Sequence, residues 1–204
     1  MNTNPAMYSQ NDEERFIVDA LDGVTNGHFL DIGAYDGKTF SNTLRLVEKG
    51  WSGVCVDPSP SVFQRLLALH GGNDRIRCLN MAVIPVGPPS LMRFHDCGGD
   101  AVSTLSDSHR ALWSSNLKFT PFFVYPIALS DLMAQLAEDW HFVNIDVEGT
   151  NIPLFERFVE LYRGSKLRCI SVEYEGRAAH VIDLGSKLGM THYHVTTENV
   201  VLWK

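Results

Sequence analysis

The residues of this sequence that are best placed to do chemistry are four acids, each at the end of an apolar, strand-like run. They are Asp31, Asp57, Asp146 and Glu173. In an open α/β sheet, ligands bind beyond the carboxyl ends of the strands, near the point where the strand order switches. A charged residue buried at a strand end is costly unless it is paired or faces a ligand-filled cleft. We therefore expect these acids to surround one binding site.

A glycine-containing turn follows the first acid, within residues 29–42. Three ligands compete for such a turn: a nucleoside polyphosphate, a dinucleotide and S-adenosylmethionine; it could also be a tight turn without a ligand. A P-loop needs four residues between its glycines, whereas Gly33 and Gly37 enclose only three. The dinucleotide fingerprint needs a second glycine where this chain has Tyr35. S-adenosylmethionine has no phosphate and is cationic, so an acidic turn favours it.

Asp57 lies 24 residues after Gly33, close to the spacing of an acid that binds a ribose diol. Hydrogen bonds to a charged group contribute about 1.5–3 kcal/mol each, which is enough for cofactor selectivity. The alternative role of Asp57 is to cap the helix that follows Pro58.

Asp146 and Glu148 lie two residues apart at the end of a predicted strand. We interpret them as a catalytic pair, in which one orients the substrate hydroxyl or the cofactor amine and the other is a general base. Alternatively, they cap the next helix. His95 and His109 are weaker candidates for the base. A divalent cation held by this pair and Glu173 is not expected, although hard cations do bind carboxylates.

The elements that must position these residues follow an α/β pattern. Apolar runs predict strands, and stretches with apolar residues at helical spacing separate them. The predicted strands cover residues 28–32, 52–56, 76–79, 141–145 and 167–172, with two closing strands near 192–195 and 200–203. This succession predicts an α/β fold with a doubly wound, mostly parallel sheet and an antiparallel closing strand.

The regular pattern breaks around residues 85–126, which are rich in Pro, Gly, Ser and isolated aromatic residues. A long irregular segment inside a compact domain is usually a lid or a binding segment. We predict a turn at 85–89, a lid-like insertion around 85–126 and a substrate lid within 96–121. Residues 1–14 are predicted to be a flexible lead-in, and residues 1–204 to form a single domain.

Composition narrows the class of protein. Of the 204 residues, 45% are hydrophobic and 20% are charged, which is typical of a soluble globular protein. The net charge of −7 argues against a nucleic-acid partner, because binding to phosphates needs Lys and Arg. We recognise no signal peptide, no apolar run of the ~20 residues that span a membrane and no C-x-x-C pair. The expectation is a cytoplasmic monomer or homodimer without membrane contact, disulfides or zinc.

Several short motifs occur in a fixed order along residues 28–202. They are Asp31-Ile32-Gly33-Ala34-Tyr35-Asp36-Gly37, Ser41-Asn42, the run from Gly50 to Pro60, Asn80-Met81-Ala82, Ser103-Thr104, Ile145-Asp146-Val147-Glu148-Gly149, and Glu173. Together they resemble the FkbM-type S-adenosylmethionine-dependent methyltransferases. The resemblance implies a Rossmann-like class I methyltransferase fold. It also implies methylation of a hydroxyl oxygen on a sugar, a polyketide or a similar small metabolite.

The same resemblance implies roles for individual residues. Those implied to bind S-adenosylmethionine are Asp31, Gly33, Ala34 and Gly37 along its methionine part, Asp57 at the ribose, Asn80, Met81 and Ala82 beside the adenine, and also Asn42 and Pro58. Asp146 is implied to face the methyl-transfer centre, with Glu148 as its catalytic partner. The residues assigned to the substrate are Ser103, Thr104 and Glu173.

Two residues depart from the family's pattern. Asn144 replaces the lysine or small polar residue that often precedes the I-D-x-E-G core, and Asn151 replaces the usual acid after it. These departures motivate an alternative function, a regulatory module that binds the cofactor but has lost turnover. An NAD-dependent oxidoreductase is a third hypothesis, which Tyr35 in the glycine turn disfavours.

Overall fold

A computed structural model describes residues 7–87 and 90–204. The elements, in chain order, are α1 (Glu13–Ala20), β1 (His28–Ile32), α2 (Leu44–Glu48), β2 (Ser52–Val56), α3 (Pro60–His70), β3 (Ile76–Leu79), β4 (Val83–Ile84), β5 (Met92–Asp96), α4 (Asp107–Trp113), β6 (Thr120–Val124), β7 (Ile127–Ala128), α5 (Leu129–Leu136), β8 (Phe142–Ile145), α6 (Asn151–Leu161), β9 (Cys169–Glu173), α7 (Ala178–Lys187), β10 (His192–Val195) and β11 (Asn199–Trp203). No described helix is long and apolar enough to cross a membrane.

The central sheet has seven strands in the order β3-β2-β1-β8-β9-β11-β10. The first five of these are mutually parallel, and β11 runs antiparallel to both of its neighbours. The strand order reverses direction between β1 and β8, which are adjacent although far apart in the chain. This switch point is where an open α/β sheet leaves a crevice for a ligand. The predicted doubly wound sheet with an antiparallel closing strand is confirmed.

Both faces of the sheet are covered, which is why its strands are nearly continuous apolar runs. Alternate residues of neighbouring strands enter two cores. Leu30 and Val143 pack with residues of α5, α6 and α7, whereas Phe29 and Phe142 pack with residues of α1, α2 and α3. The helices and the sheet thereby hold the strand ends in fixed positions, and the acids that follow the apolar runs lie at one edge of this rigid layer.

The insertion has secondary structure of its own. Strands β5 and β6 form an antiparallel pair, β4 pairs with β7 in parallel at its base, and α4 lies between β5 and β6. The sequence shows no clear helical period at α4, and the structure forms it because Ser106 caps its first turn by accepting a hydrogen bond from the backbone N–H of His109. The predicted turn at 85–89 falls partly outside the described residues, since Pro88 and Pro89 are not among them.

The predicted flexible lead-in, residues 1–14, has its first six residues outside the described part of the chain. The remainder is held in place. Ser9 forms a parallel bridge with Phe40, and the Tyr8 hydroxyl donates to Glu48 at 2.7 Å. Helix α1 already begins at Glu13, whose carboxylate accepts a hydrogen bond from the Thr196 hydroxyl at 2.7 Å. Residues 7–14 therefore form part of the folded domain, because their polar groups have specific partners on it.

Candidate active site

Two adjoining cavities lie at the carboxyl ends of β1, β2 and β8. The first, which we call the apolar cavity, is lined chiefly by Val56, Pro58, Met81, Ala82, Phe94 and Leu105. The second, which we call the polar cavity, is lined chiefly by Gln10, Asp31, Thr39, Phe40, Asn42 and Asn144. Four residues line both and define what we call the junction: Gly33, Ala101, Asp146 and Glu148.

Gly33 brings the ends of β1 and β8 together at the junction. Its φ is +90°, and a Cβ built on it would lie 1.6 Å from the backbone carbonyl oxygen of Asp146. Its N–H donates to the carbonyl of Val56 at 2.9 Å, which fastens the turn to β2 as well. Glycine is required here by close backbone packing and by a left-handed conformation that other residues rarely adopt.

A buried hydrogen-bond network forms the floor of the polar cavity. The Asp31 carboxylate is 2% exposed and accepts hydrogen bonds from the Thr43 hydroxyl at 2.6 Å and the Asn144 side-chain N–H at 2.9 Å. Asn42 donates in turn to Asn144 Oδ1 at 3.0 Å. Burial raises the pKa of the Asp31 carboxyl, against these hydrogen bonds, which lower it. Asn144, which departs from the FkbM-type pattern, is the residue that connects this network.

Asn42 Oδ1 is left without a hydrogen-bond partner in this network, although it is buried. Such an atom is unusual, because most buried polar groups are satisfied. The unpaired oxygen belongs to a residue that lines the polar cavity. A ligand with an N–H donor, above all a charged ammonium group, would satisfy it.

Three carboxylates cluster where β8 and β9 end. Asp146, Glu148 and Glu173 each offer an oxygen atom within 4.8 Å of the others. Burial, followed by the charge of Glu148, raises the pKa of the Asp146 carboxyl well above its usual value. Burial, followed by the charges of Asp146 and Glu148, raises the pKa of Glu173 to about 9. Three carboxyl groups this close together would favour a cationic ligand group. Their oxygen atoms and spacing would also fit a divalent cation.

The insertion holds Glu148 at two points. The Thr104 hydroxyl donates to the Glu148 backbone carbonyl, and His109 Nε2 lies 2.9 Å from Glu148 Oε2. The Trp113 indole N–H also approaches His109 Nε2, at 3.2 Å. One ring nitrogen cannot donate to the carboxylate and accept the indole proton at the same time, so these two contacts compete. Glu148 Oε1 has no partner among the described residues.

The insertion is also anchored over the apolar cavity. The carbonyl of Gly99 accepts hydrogen bonds from the Tyr35 hydroxyl at 2.9 Å and from an Arg65 N–H at 2.7 Å. The Ser59 hydroxyl donates to Asp96 at 2.8 Å. Residues 101, 103 and 105 of the insertion consequently line the apolar cavity. The segment predicted as a substrate lid therefore contributes to the wall of the candidate site, and its action as a lid stays a prediction.

Most of the predicted cofactor residues line the cavities. Those on the apolar cavity are Pro58, Met81 and Ala82; those on the polar cavity are Asp31, Ala34 and Asn42; Gly33 lies at the junction, as do the predicted catalytic residues Asp146 and Glu148. Among the predicted substrate residues, Ser103 lines the apolar cavity, Glu173 lies in the carboxylate cluster, and Thr104 is fully buried against Glu148.

Three predicted cofactor residues line neither cavity. Gly37 packs against α3, where a Cβ would lie 2.8 Å from His70 Nε2. The Asp57 carboxylate accepts backbone N–H groups of Ser59 at 2.9 Å and Tyr35 at 3.2 Å, so it links the residue before α3 to the glycine turn and does not bond an N–H of the first turn of the helix. Asn80 donates its side-chain N–H to the Asp57 carbonyl at 2.9 Å. These three residues shape the turns behind the cavities, and a carboxylate with about four lone-pair sites retains capacity for a ligand.

Asn151 is the main site residue that sequence reasoning did not assign. It is fully buried, and its Oδ1 accepts the Val147 N–H at 2.7 Å. Its Nδ2 donates to Glu173 and, at 3.0 Å, to Glu175. The only signal in the sequence was the departure from an acid at this position. A neutral amide is needed here because it must donate to two carboxylates and accept from the backbone. Gln10, Thr39 and Phe40, which line the polar cavity, gave no signal.

The Asn151→Asp variant is expected to be destabilised by about 3 kcal/mol at pH 7, because the new buried carboxylate lies beside Glu175 and the N–H donor to Glu173 and Glu175 is lost. Urea unfolding against the wild type measures the effect. The control is Asn116→Asp, the same change at an exposed position, which is expected to alter stability by less than about 0.5 kcal/mol. Equal stability of the two variants would contradict the role assigned to Asn151.

Comparison with solved structures gives the fold a class. Precorrin-6y C5,15-methyltransferase from Geobacter metallireducens GS-15 is 7% identical, with a TM-score of 0.52 over 94% of this chain and 87% of that one. A hypothetical protein of Thermus thermophilus is 12% identical, with a TM-score of 0.51 over 98% and 87%. The METTL16 MTase domain is 14% identical, with a TM-score of 0.50 over 94% and 65%. The chain has the Rossmann-like fold of class I methyltransferases.

No family model matches the sequence, and no curated protein matches it. The FkbM-type resemblance therefore stays a prediction, and the likeness to solved structures concerns the fold.

Proposed function

We propose that this protein is an S-adenosylmethionine-dependent methyltransferase. The observation that carries the proposal is the pair of unlike cavities that meet at one acidic junction, at the switch point of the sheet. One elongated ligand with a flat, weakly polar end, a cationic centre and a zwitterionic tail would fill both. S-adenosylmethionine has these three parts in this order.

The residues present fit that ligand part by part. Met81, Ala82 and Phe94 offer an apolar surface suited to an adenine ring. Asn42 Oδ1, buried and without a partner, suits an ammonium donor of the methionine tail. The Asp146 and Glu148 carboxyl groups at the junction suit a positive centre between them. No Lys, Arg or His among the described residues lines either cavity, which argues against a phosphate ligand.

When bound, the cofactor would supply a methyl group activated by a positively charged sulfur. The chain's own residues would do the rest. The Gly33 turn and the Asn42–Asn144–Asp31 network would hold the ligand in one pose, and positioning of this kind can lower a barrier by about 7–11 kcal/mol. Glu148 Oε1 would take the proton of the acceptor, a contribution of roughly 10²–10⁴-fold in rate. The insertion would exclude water from the junction.

We further propose that the acceptor is a hydroxyl group of a small metabolite such as a sugar or a polyketide, as the FkbM-type resemblance implies. The insertion, whose residues 101, 103 and 105 line the apolar cavity, limits the space beside the junction and supports a small acceptor. The net charge of −7 and the absence of basic residues from the cavity walls of the described chain make a nucleic-acid acceptor unfavourable.

The alternative of a module without turnover was motivated by Asn144 and Asn151. Asn144 joins Asp31 to Asn42, and Asn151 holds the Glu173 carboxylate. Both departures thus have structural roles that leave Glu148 and Asp146 in place, which favours the enzyme. Methyl transfer to a panel of sugar and polyketide alcohols tests the choice. Bound cofactor without transfer to any member of a broad panel would favour the silent module.

Titration calorimetry with S-adenosylmethionine tests the cofactor assignment. The wild type is expected to bind, and Asn42→Ala to bind about tenfold more weakly, since one hydrogen bond to a charged group is lost. Asn199→Ala is the matched control, because Asn199 is also a buried asparagine with an unpaired Oδ1 but lines neither cavity. Its dissociation constant is expected to stay within about twofold of the wild type. An absence of binding by the wild type would overturn the proposed function.

A further inference from the structure

Glu148 is one of the four residues that line both cavities, and its backbone has an uncommon conformation. Its φ is +56°, a left-handed conformation that is uncommon for a residue with a side chain. Strained backbone of this kind persists only where surrounding contacts enforce it, and it concentrates at functional sites. Here the enforcing contacts come from the insertion.

Those contacts fix both ends of the residue. Thr104 bonds its backbone carbonyl, and His109 lies 2.9 Å from its carboxylate. The neighbouring Gly149 packs so closely on α4 that a Cβ there would lie 2.8 Å from His109 Cβ. The Glu148 side chain is 21% exposed and lines both cavities, whereas His109 lines neither. His109 therefore contacts Glu148 from outside the cavities, and Glu148 is the residue of this pair that can contact a ligand.

We propose that Glu148, positioned by His109, makes this site distinguish the cationic sulfonium form of the cofactor from the neutral thioether left after methyl transfer. The inference rests on the proposed function, because it requires a ligand that spans the junction. A carboxylate a few ångströms from a positive sulfur, in a partly buried site, contributes much more than it would in water. The neutral product gains nothing from the same carboxylate.

The charge balance of the reaction strengthens the effect. The bond between methyl carbon and sulfur breaks with both electrons remaining on sulfur, a bond from that carbon to the acceptor oxygen forms, and the hydroxyl proton passes to Glu148. The ligand thereby loses its positive charge, and Glu148 loses its negative charge. The electrostatic attraction between the sulfonium and Glu148 is lost because both partners become neutral. This loss favours release of the product.

The test compares binding of S-adenosylmethionine with binding of S-adenosylhomocysteine, which differ by the methyl group and the charge, and it needs no acceptor. The wild type is expected to bind the sulfonium form about tenfold more tightly, and Glu148→Gln to lose most of that preference. In His109→Leu the Glu148 carboxylate is free to turn away, and the preference for the sulfonium form is expected to fall at least about threefold. In His109→Gln the preference is expected to stay within about twofold of the wild-type value, since a glutamine amide can occupy the place of Nε2.

The chain offers a matched control in a second histidine–glutamate pair. His180 Nε2 lies 2.7 Å from Glu156 Oε1, on α7 and α6, and neither residue lines a cavity. Glu156→Gln and His180→Leu are expected to leave the preference unchanged. Affinity for S-adenosylhomocysteine reports whether each variant is folded.

Each outcome bears on a separate claim. An unchanged preference in Glu148→Gln, or a preference that rises in His109→Leu, would overturn this inference and leave the proposed function intact. Failure of the wild type to bind either compound would overturn both.

Discussion

The Gly33→Ala variant is expected to lose at least about 4 kcal/mol of its free energy of unfolding, a loss in the exceptional range for one substitution. The new Cβ would lie 1.6 Å from the Asp146 carbonyl oxygen, and the φ of +90° is unfavourable for alanine. The obstructing atom belongs to the backbone at the end of a buried strand, so no side-chain rotation relieves the clash. Urea unfolding of the purified variant, or its failure to accumulate in soluble form, measures the effect.

Gly50→Ala separates the clash from the backbone strain. Gly50 also has a left-handed φ, +82°, but a Cβ on it meets nothing within 4 Å. Its substitution is expected to cost about 1–2 kcal/mol, the effect of the conformation alone. If Gly33→Ala were no less stable than Gly50→Ala, the close contact between the ends of β1 and β8, and with it the geometry of the junction, would be wrong.

The free energy of unfolding of the ligand-free protein is expected to fall as the pH rises from 4 to 8, and Asp57 alone is expected to account for about 4 kcal/mol of the fall. Burial raises the pKa of the Asp57 carboxyl from 3.8 to about 7, against the hydrogen bonds from Ser59 and Tyr35. An acid whose pKa is raised by folding stabilises the protein fully below its unfolded pKa, and that stability is lost as the pH rises through the folded pKa. Glu173 acts in the same direction.

Asp57→Asn is the variant that checks this pH dependence, because it removes the titration while keeping the shape of the side chain. Its loss of stability between pH 4 and 8, measured by urea unfolding, is expected to be smaller than that of the wild type by about 4 kcal/mol. Asp139→Asn is the control: burial opposes the hydrogen bonds from Tyr162, Ser165 and Lys166, but these outweigh it and lower the pKa of Asp139, so the variant is expected to keep the wild-type pH dependence between pH 4 and 8. Parallel pH profiles for wild type and Asp57→Asn would contradict the prediction.

Much of the fold follows from the sequence because its strands are short apolar runs that end in polar residues. Five strands were predicted from such runs: the four that precede Asp31, Asp57, Asp146 and Glu173, and the strand at 76–79. In the structure these five strands are neighbours in the sheet and run parallel to one another. Parallel strands buried on both faces leave few alternative patterns. The switch point, and hence the place of a ligand crevice, follows from that topology.

Local backbone that depends on tertiary contacts was harder to predict. Phe40 precedes Leu44 at helical spacing, but it lies before α2 with a φ of +57°, half-exposed, in a bridge to Ser9. That conformation is set by the N-terminal segment, which is distant in the chain, and no local pattern encodes it. Helix α4 is similarly fixed by Ser106 and by packing against Gly149.

Some residues of the candidate site could be predicted from the sequence and others could not. The acids at strand ends were identifiable because a charge next to an apolar run needs a reason. The asparagines were not, since an amide is informative only when its partners are known: Asn144 and Asn151 looked like departures from a pattern and are the hydrogen-bonding centres of two networks. Whether Asp57 and Glu173 contact a ligand stays a prediction.

The most direct test of the proposed function is a crystal structure of the protein grown with S-adenosylmethionine. We expect electron density that runs continuously through both cavities, with the adenine beside Met81 and Ala82, the methionine tail beside Asn42, and the sulfur at the junction between Gly33 and Glu148. Density confined to one cavity, or a ligand bound elsewhere on a folded protein, would contradict it.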